Sequence, residues 1–238
     1  MSSNARDPRT FPDTWLSERG LNRQAVFDLA DLPADILAAL APQADERQLI
    51  LLGHGGRRLW ACVQAAGASG PDPIDDYTQA TLARWFAETL PGKRYRLLYP
   101  GNAPIGLQSL GRLAGWHHAT PFMLGIDARW GTWYAYRAAL LADTDFPAFS
   151  EVDRDNPCLH CSDKPCLAAC PAGALDHAAF DLPACIGHRL QPESSCALRC
   201  LARCACPVGR EHRYDEAQMA HSYGVSLAML RQYMANAD

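Results

Sequence analysis

The sequence contains no long hydrophobic run, and no stretch approaches the ~18–20 uninterrupted apolar residues of a membrane-spanning helix. It also has little excess charge: 22 basic and 26 acidic residues leave a net charge of −4, with a pI near 6.0. No general attraction to nucleic acid or anionic lipid is therefore expected. The N-terminal residues are polar and lack the apolar core of a signal peptide. These absences predict a cytoplasmic protein with no membrane contact.

Cysteine, by contrast, is abundant and unevenly distributed. Nine of the ten cysteines lie between Cys158 and Cys206. In a reducing compartment, many thiols indicate metal or redox chemistry more often than disulfides. Because the spacing is that of metal ligands and no export signal is present, a disulfide scaffold is only a minor alternative.

The first group of cysteines reads Cys158-Leu-His-Cys161-Ser-Asp-Lys-Pro-Cys166-Leu-Ala-Ala-Cys170-Pro171. It is similar to the bacterial ferredoxin run, in which three close thiolates hold one [4Fe–4S] cluster and the cysteine before the proline ligates a second cluster. Another group follows and also ends in Cys-Pro: Cys185, Cys196, Cys200, Cys204 and Cys206.

By analogy with ferredoxins, the sequence predicts two interlaced sets of ligands: Cys158, Cys161, Cys166 and Cys206 for cluster 1, and Cys170, Cys185, Cys196 and Cys200 for cluster 2. Two departures leave alternatives open. The gap between Cys161 and Cys166 is longer than in the ferredoxin run, and Cys204 is a surplus thiol that can replace Cys200 or Cys206. Structural zinc is a rival, but zinc knuckles use paired Cys-x2-Cys motifs, and only Cys158 and Cys161 form one.

Other residues of this region have supporting roles in this interpretation. His160 and His188 are interpreted as neighbours that donate hydrogen bonds, with a ligand role as the alternative. Cys62, in an apolar segment, is predicted to be a buried core thiol. The cationic residues near the clusters offset negative charge or meet a redox partner; they are Lys164, Arg199, Arg203, Arg210 and Arg213.

Hydrophobic periodicity predicts an α+β fold. Helical spacing is found in Asn22–Ala41, interrupted at Pro33, and in Asp75–Leu90, Ile105–Leu113 and Tyr214–Met234. Short runs typical of strands are Gln48–Leu52, Leu59–Gln64, Arg94–Tyr99, Phe122–Ile126 and Thr132–Leu141. The predicted organisation is an irregular N-terminal arm (1–20), an α+β cofactor-binding-like domain (21–145), a ferredoxin-like iron–sulfur module (146–212) and a C-terminal helix (213–238).

The stretch from Asn102-Ala-Pro to Gly-Trp116 and the following Arg129-Trp-Gly-Thr-Trp-Tyr-Ala-Tyr-Arg137 carry a further signal. Together with the cysteine groups, they resemble the cobalamin-dependent epoxyqueuosine reductases. Tyr99–Pro104 and Arg129–Arg137 also resemble the CblC-type cobalamin-processing proteins, which have a nitroreductase-like sheet. The resemblance implies a corrinoid on the sheet domain, reduced by the nearer iron–sulfur cluster; flavin is the less favoured cofactor.

Three features differ from the reductases. Asn102 occupies the place of an acidic residue associated with proton donation, and Asn102 has no carboxyl proton to give. The chain ends soon after its last Cys-Pro, without the helical-repeat region that recognises tRNA in the family. Ile74-Asp-Asp-Tyr77 is at most a remnant of the family's Arg-Asp-Tyr-His-like segment. A nucleic-acid partner and reduction of a tRNA base are therefore not expected.

Candidate cofactor contacts combine this resemblance with local chemistry. The glycine-rich loop Gly53–Arg58 suits an anion, and His117 and His118 suit a cobalt ligand or a general acid. The candidates are His54, Arg57, Asn102, Trp116, His117, Trp133 and Tyr134. The alternatives are that the arginines are merely solvated, that the histidines are surface or capping residues, and that the aromatic residues, with Trp130 and Tyr136, fill the core.

The sequence thus predicts an iron–sulfur redox protein, and an oxidoreductase if it is an enzyme. Electrons from a ferredoxin- or flavodoxin-type donor would pass through two clusters to a cofactor, and a corrinoid is the favoured cofactor. One alternative is a ferredoxin-type carrier whose first domain docks a protein partner. Another is a cobalamin-handling or redox-sensing protein without catalysis.

Overall fold

The computed structural model describes residues 10–151, 155–175 and 179–236. They divide into two compact units. Unit 1 comprises the described parts of Met1–Trp116 and Tyr134–Asp153, and unit 2 those of His117–Trp133 and Arg154–Asp238. The α+β class is confirmed. The four predicted segments (1–20, 21–145, 146–212 and 213–238) remain a prediction, and in the structure residues 117–133 group with the cysteine-rich part.

Unit 1 is built around a four-stranded antiparallel sheet with the strand order β1–β2–β4–β3. The strands are β1 (Arg23–Asp28), β2 (Gln48–Gly55), β3 (Tyr95–Tyr99) and β4 (Tyr134–Ala142). Every residue of β2 is buried, which explains why its sequence is nearly continuously apolar. β4 comes from far along the chain and pairs with both β2 and β3.

Five helices belong to unit 1: α1 (Thr14–Glu18), α2 (Ala34–Leu40), α3 (Arg58–Ala65), α4 (Pro73–Thr89) and α5 (Leu107–Leu113). The start of α4 follows from its sequence. Pro73 occupies the first turn, where its missing N–H is not needed, and Asp75 and Asp76 favour the positive end of the helix dipole. The helices predicted over Asp75–Leu90 and Ile105–Leu113 are confirmed.

One face of the sheet packs against α1, α3 and α4. Ile50, Leu52 and Leu140 from the strands meet Leu82 and Trp85 from α4 in a single buried core. Full burial of an aliphatic or aromatic side chain of this size contributes about 1.5–3 kcal/mol. Hydrophobic burial on this face therefore holds the sheet and the helices together.

The N-terminal arm differs from its expectation. Residues 1–9 of it lie outside the described residues, but Phe11 and Leu16 are buried in the unit 1 core. Asp13 caps α1 by accepting a hydrogen bond from the Leu16 N–H at 3.0 Å. Residues 11–20 are therefore an ordered part of unit 1 and not an irregular arm.

Three further expectations were wrong. The helical spacing over Asn22–Ala41 holds only after Pro33, because residues 23–28 pair with β2 as strand β1. Leu59–Gln64 lies in helix α3, and Phe122–Ile126 forms only an isolated bridge between Ile126 and His118. A short apolar run does not distinguish a strand from a buried helix, and tertiary packing decides between them.

Cys62 was expected to be an ordinary buried thiol, but it is half-buried on α3. Its Sγ lies 3.6 Å from the carbonyl oxygen of Glu18. It belongs to unit 1 and is separate from the other nine cysteines, which all lie in unit 2.

Unit 2 consists of short helices joined by turns: α6 (Pro165–Ala168), α7 (Leu182–Leu190), α8 (Leu201–Ala205) and α9 (Glu216–Ala235). α9 confirms the helix predicted over Tyr214–Met234, and Asp215 caps it by accepting a hydrogen bond from the Gln218 N–H at 2.8 Å. Among the described residues of the chain, no helix is long and apolar enough to cross a membrane.

Two backbone segments of unit 2 meet at Gly131 and Gly209, which have φ values of 59° and 65°. A Cβ on Gly209 would lie 2.5 Å from the carbonyl carbon of Trp130, and one on Gly131 would overlap the carbonyl oxygen of Val208. Neither position has room for a side chain. This contact holds the chain just after Cys206 against the 117–133 segment.

We therefore expect Gly209→Ala to destabilise the protein more than Gly173→Ala. Gly173 has a similar φ of 60°, but a Cβ there would have no atom within 4 Å. Both variants carry the left-handed backbone penalty of about 1–2 kcal/mol, and Gly209→Ala adds a backbone collision. The measurement is the urea midpoint of unfolding for both variants and the parent protein. Equal midpoints for the two variants would contradict the importance of the contact.

Candidate metal centres

A first set of four thiols surrounds one cavity of unit 2. The cavity has a volume of about 400 Å³, and its lining includes Cys158, Cys161, Cys166 and Cys206. Cys158 lies in a 3-10 turn whose geometry is set by Asn156, which accepts a hydrogen bond from the Cys158 N–H at 2.9 Å. Cys166 lies on α6, and Cys206 follows the end of α8. The fourth thiol is therefore brought from far along the chain.

The ionisation of these thiols reflects their closeness. Burial, together with the neighbouring thiolates of Cys206, Cys166 and Cys161, raises the pKa of Cys158 to about 11, while Lys164 opposes them. Burial likewise raises the pKa of Cys166 and of Cys206. Because these thiols are neutral at neutral pH, a metal centre that binds them has to displace their protons.

A second set of four thiols surrounds another cavity of unit 2. This cavity has a volume of about 390 Å³, and its lining includes Cys170, Cys185, Cys196 and Cys200. Cys185 lies on α7, and Cys200 is the N-cap of α8, where its Sγ accepts a hydrogen bond from the Arg203 N–H at 3.4 Å. Burial raises the pKa of Cys200 to about 11, with Cys196 and Cys185 acting in the same direction. Burial also raises the pKa of Cys185, and the Arg189 guanidinium opposes it.

The two cavities share part of their lining, including Phe122 and Phe180. These aromatic side chains pack with Leu175 and with Cys166 and Cys170, one thiol from each set. Apolar side chains therefore form part of the lining that the two cavities share.

Cys204 lines neither of these cavities. It packs against the buried group formed by Trp133, Tyr214 and Met219, with its Sγ 4.0 Å from the Met219 Sδ. Because a helix turns about 100° per residue, side chains two positions apart point to opposite sides. The end of α8 therefore directs Cys204 away from the cavity that Cys206 faces.

The four thiols around each cavity are consistent with the ligation of an iron–sulfur cluster. Across residues 10–151, 155–175 and 179–236, no three His, Cys, Asp or Glu side chains form a group that could hold one metal ion. Zinc draws its thiolates to within about 2.3 Å of one point, whereas a [4Fe–4S] cluster is ligated by four thiolates spread around its surface. All ten cysteines, each within the described residues, are free thiols.

The second cavity is lined by Arg189, Arg199, Arg203 and His188 in addition to its thiols, and by no carboxylate among the described residues. Arg189 donates hydrogen bonds to the Cys196 carbonyl oxygen at 3.3 Å and to the Tyr223 carbonyl oxygen at 3.1 Å. The charge of Arg189 is thus held beside the thiols by the backbone of the loop that carries Cys196.

Arg203 is the most buried cation of unit 2, with 7% of its surface exposed. Its guanidinium lies 4.2 Å from the Trp133 ring centroid and 4.9 Å from that of Tyr214, and donates a hydrogen bond to the Thr132 carbonyl oxygen at 2.5 Å. No carboxylate of the described residues pairs with it. Its burial was not expected from the sequence, in which it is one of many arginines.

Two histidines near the cysteines differ in placement. His188 lines the second cavity, and its Nε2 is buried without a hydrogen-bond partner in the described part of the chain. His160 is exposed, its Nε2 lies 4.0 Å from an Asp155 carboxylate oxygen, and it lines neither of the two cavities. Of the two predicted hydrogen-bond donors, the structure brings only His188 to a thiol set.

The cofactor-contact candidates are divided between the two units: His54, Arg57, Asn102, Trp116 and Tyr134 belong to unit 1, and His117 and Trp133 to unit 2. His54 is buried within β2, which extends through Gly55, so the turn after the strand is shorter than the predicted loop over Gly53–Arg58. Anion binding there stays a prediction. His54 Nδ1 accepts a hydrogen bond from the Arg137 Nε at 3.1 Å, whereas Arg57 and Asn102 are exposed. His117 is half-buried and Trp133 fully buried, and both belong to unit 2.

Trp116 and Tyr134 are buried around a cation that the sequence did not single out. The guanidinium of Arg23, itself fully buried, lies 4.7 Å from the Trp116 ring centroid and 4.6 Å from that of Tyr134. Arg23 pairs with Glu151 at 2.6 Å. The cavities of about 180 and 140 Å³ in unit 1 are lined by other residues. In unit 1, therefore, these aromatic residues surround Arg23.

Comparison with known proteins gives a fold but no family. No protein-family model matches the sequence, and no curated protein matches it. Similar solved structures include the epoxyqueuosine reductase of Bacillus subtilis, with a TM-score of 0.52 and 12% identity, covering 85% of this chain and 65% of that one. Another is an epoxyqueuosine reductase crystallised with an epoxyqueuosine-modified tRNA-Tyr stem loop, with a TM-score of 0.54 and 14% identity, covering 87% and 66%.

The B12-trafficking protein CblC of Caenorhabditis elegans is a more distant neighbour, with a TM-score of 0.45, 13% identity and coverage of 88% of both chains. That similarity is too weak to support an argument. The chain spans about 65% of the length of the Bacillus subtilis reductase. The resemblance noted in the sequence is confirmed at the level of structure: this chain has a fold similar to that of the epoxyqueuosine reductases.

Proposed function

We propose that this chain is an iron–sulfur redox protein whose unit 2 is a ferredoxin-like module holding two [4Fe–4S] clusters. The observation that carries the proposal is the separation of eight thiols into two sets of four, each around its own cavity. Cluster 1 would be held by Cys158, Cys161, Cys166 and Cys206, and cluster 2 by Cys170, Cys185, Cys196 and Cys200. When bound, such clusters supply one-electron transfer.

The surrounding residues prepare both sites for this role. Phe122 and Phe180 line both cavities and pack with thiols of both sets, so an electron that passes between the clusters would meet apolar side chains. Lys164 beside the first set and Arg189 beside the second offset the negative charge of thiolates. His188 presents an unpaired Nε2 at the second cavity, where an N–H can donate to a ligand or sulfide of a cluster.

The electron acceptor that we propose is a corrinoid, and the enzyme class an oxidoreductase. The support is the similarity of fold to the epoxyqueuosine reductases, together with the sequence resemblance to their cobalamin-dependent family. In unit 1, Trp116 and Tyr134 pack around the Arg23 guanidinium. This part of the proposal therefore depends on the fold and not on a described cofactor cavity.

Two other functions have specific support. Asn102, which has no carboxyl proton to give where the reductases carry an acidic residue, favours a carrier that passes electrons to a protein partner. The tRNA stem loop bound to one similar reductase makes tRNA the nucleic acid to test, although the net charge of −4 provides no general attraction to it. Filter binding with that stem loop tests the second alternative directly.

We expect the anaerobically reconstituted protein to contain about eight irons and as many sulfides per chain, because each cubane contains four of each. Cys158→Ser and Cys196→Ser should each lose about half of the iron, whereas Cys204→Ser and Cys62→Ser should lose none. Iron, sulfide and zinc are quantified together, and the reduced clusters are counted by electron paramagnetic resonance.

Pairs of substitutions test which thiols share a cluster. Cys158→Ser with Cys206→Ser should lose no more iron than either alone, because both thiols belong to the first set. Cys158→Ser with Cys196→Ser should lose nearly all of it. Loss of a cluster in Cys204→Ser, or zinc in place of iron, would contradict the assignment.

The proposed electron acceptor is tested by measuring the binding of cofactors to the protein that contains both clusters. Under anaerobic conditions we expect hydroxocobalamin to be retained after gel filtration, with a shifted absorption spectrum, and flavin mononucleotide not to be retained. The cluster-free protein serves as the control. If neither cofactor is retained at micromolar concentrations while both clusters are present, the corrinoid proposal is wrong and the electron-carrier function takes its place.

A further inference from the structure

The second cavity is electropositive in a chain that is acidic as a whole. Arg189, Arg199, Arg203 and His188 line it, and its described lining contains no Asp or Glu. The first cavity has Lys164 as its one cationic residue among the described lining residues. The net charge of the chain is −4. The positive charge at the second cavity is therefore a local feature and not a property of the whole surface.

The same cavity opens to solvent through exposed apolar side chains. Met123, Leu124 and Leu182 line it, with exposed fractions of 63%, 43% and 43%. Arg199 is also exposed, and its side chain has no ion-pair partner among the described residues. We call these four residues the mouth of the second cavity. An apolar patch with a charged rim is typical of a protein–protein contact.

We propose that an acidic electron-carrier protein of the ferredoxin or flavodoxin type docks at this mouth and reduces cluster 2. This inference rests on the proposed function. The step moves one electron: the carrier is oxidised by one electron, cluster 2 is reduced by one, and no bond or proton is exchanged. The carrier's acidic surface would face Arg199, and the apolar residues would exclude water from the contact.

Other occupants fit the mouth less well. A nucleic acid needs several exposed cations to neutralise its phosphates, whereas Arg199 is the one exposed cation among the described lining residues and Arg203 is buried. A second copy of the chain in a two-fold dimer would place the positive patch against itself, which like charges oppose. A partner with negative charge and an apolar contact surface satisfies both features of the mouth.

The test is the rate at which a reduced carrier protein reduces the fully loaded chain, followed by anaerobic stopped-flow spectroscopy with a flavodoxin and with a plant-type [2Fe–2S] ferredoxin. Electrostatic attraction accelerates association by about 10–10³-fold at low salt, so Arg199→Glu should slow the reaction at least about tenfold there. The rate should converge with that of the parent at high ionic strength. Leu182→Glu, on α7 and away from Arg199, should slow it as well.

Arg231→Glu is the matched control, because Arg231 is exposed on α9 and lines neither of the two cavities. It makes the same charge change and should leave the rate unchanged. Photoreduction by a small deazaflavin, which needs no docking, should proceed equally in all variants.

If Arg199→Glu and Arg231→Glu change the rate of reduction equally in protein that contains both clusters, the docking site is wrong. The proposed iron–sulfur function would still stand. Two other results would assign the mouth to another occupant and also overturn the proposal. One is self-association, measured by sedimentation, that Arg199→Glu abolishes; the other is inhibition of the reaction by the tRNA stem loop. Absence of iron from the parent protein would instead overturn the proposed function.

Discussion

Four thiols line each of the two described cavities of unit 2, and in each set at least one of them comes from a distant part of the chain. Cys206 returns to the group that begins at Cys158, and Cys170 belongs with the later group that ends at Cys200. This interlacing depends on where the chain is held after Cys206. The backbone contact between Gly131 and Gly209, where no side chain fits, holds that segment. The interlacing also explains why unit 2 is built of turns and short helices, which can direct several thiols inward over a short length.

Buried positive charge is the second constraint on unit 2. A guanidinium removed from water costs several kcal/mol unless other groups stabilise it. Arg203 is stabilised by the faces of Trp133 and Tyr214 and by the Thr132 carbonyl oxygen, and Arg189 by backbone carbonyls next to Cys196. Both line the cavity of the second thiol set. The anionic clusters of the proposed function would complete this charge balance, and they give a reason for cations that have no carboxylate partner among the described residues.

Unit 1 uses a buried cation differently. Arg23 lies between Trp116 and Tyr134 and has a carboxylate partner in Glu151, so its charge is compensated within the unit. The aromatic residues that resemble a cofactor site in the sequence therefore also have a packing role. The similarity of fold to the epoxyqueuosine reductases shows an architecture that other proteins combine with redox chemistry, and the chemistry of this chain is decided by its own thiols.

The sequence by itself determined the long helices α4 and α9, the central strand β2 and the distribution of cysteines, because these depend on local periodicity and spacing. It could not determine β1 or α3, since a short apolar segment is compatible with either conformation until its neighbours are known. The grouping of the thiols was predicted by analogy with ferredoxins, yet the position of Cys204 depended on the direction of one short helix. Only the tertiary structure decided that Arg23 and Arg203 are buried and that Trp116 and Tyr134 surround Arg23. Burial and convergence arise from contacts between residues far apart in the chain, which no local pattern records.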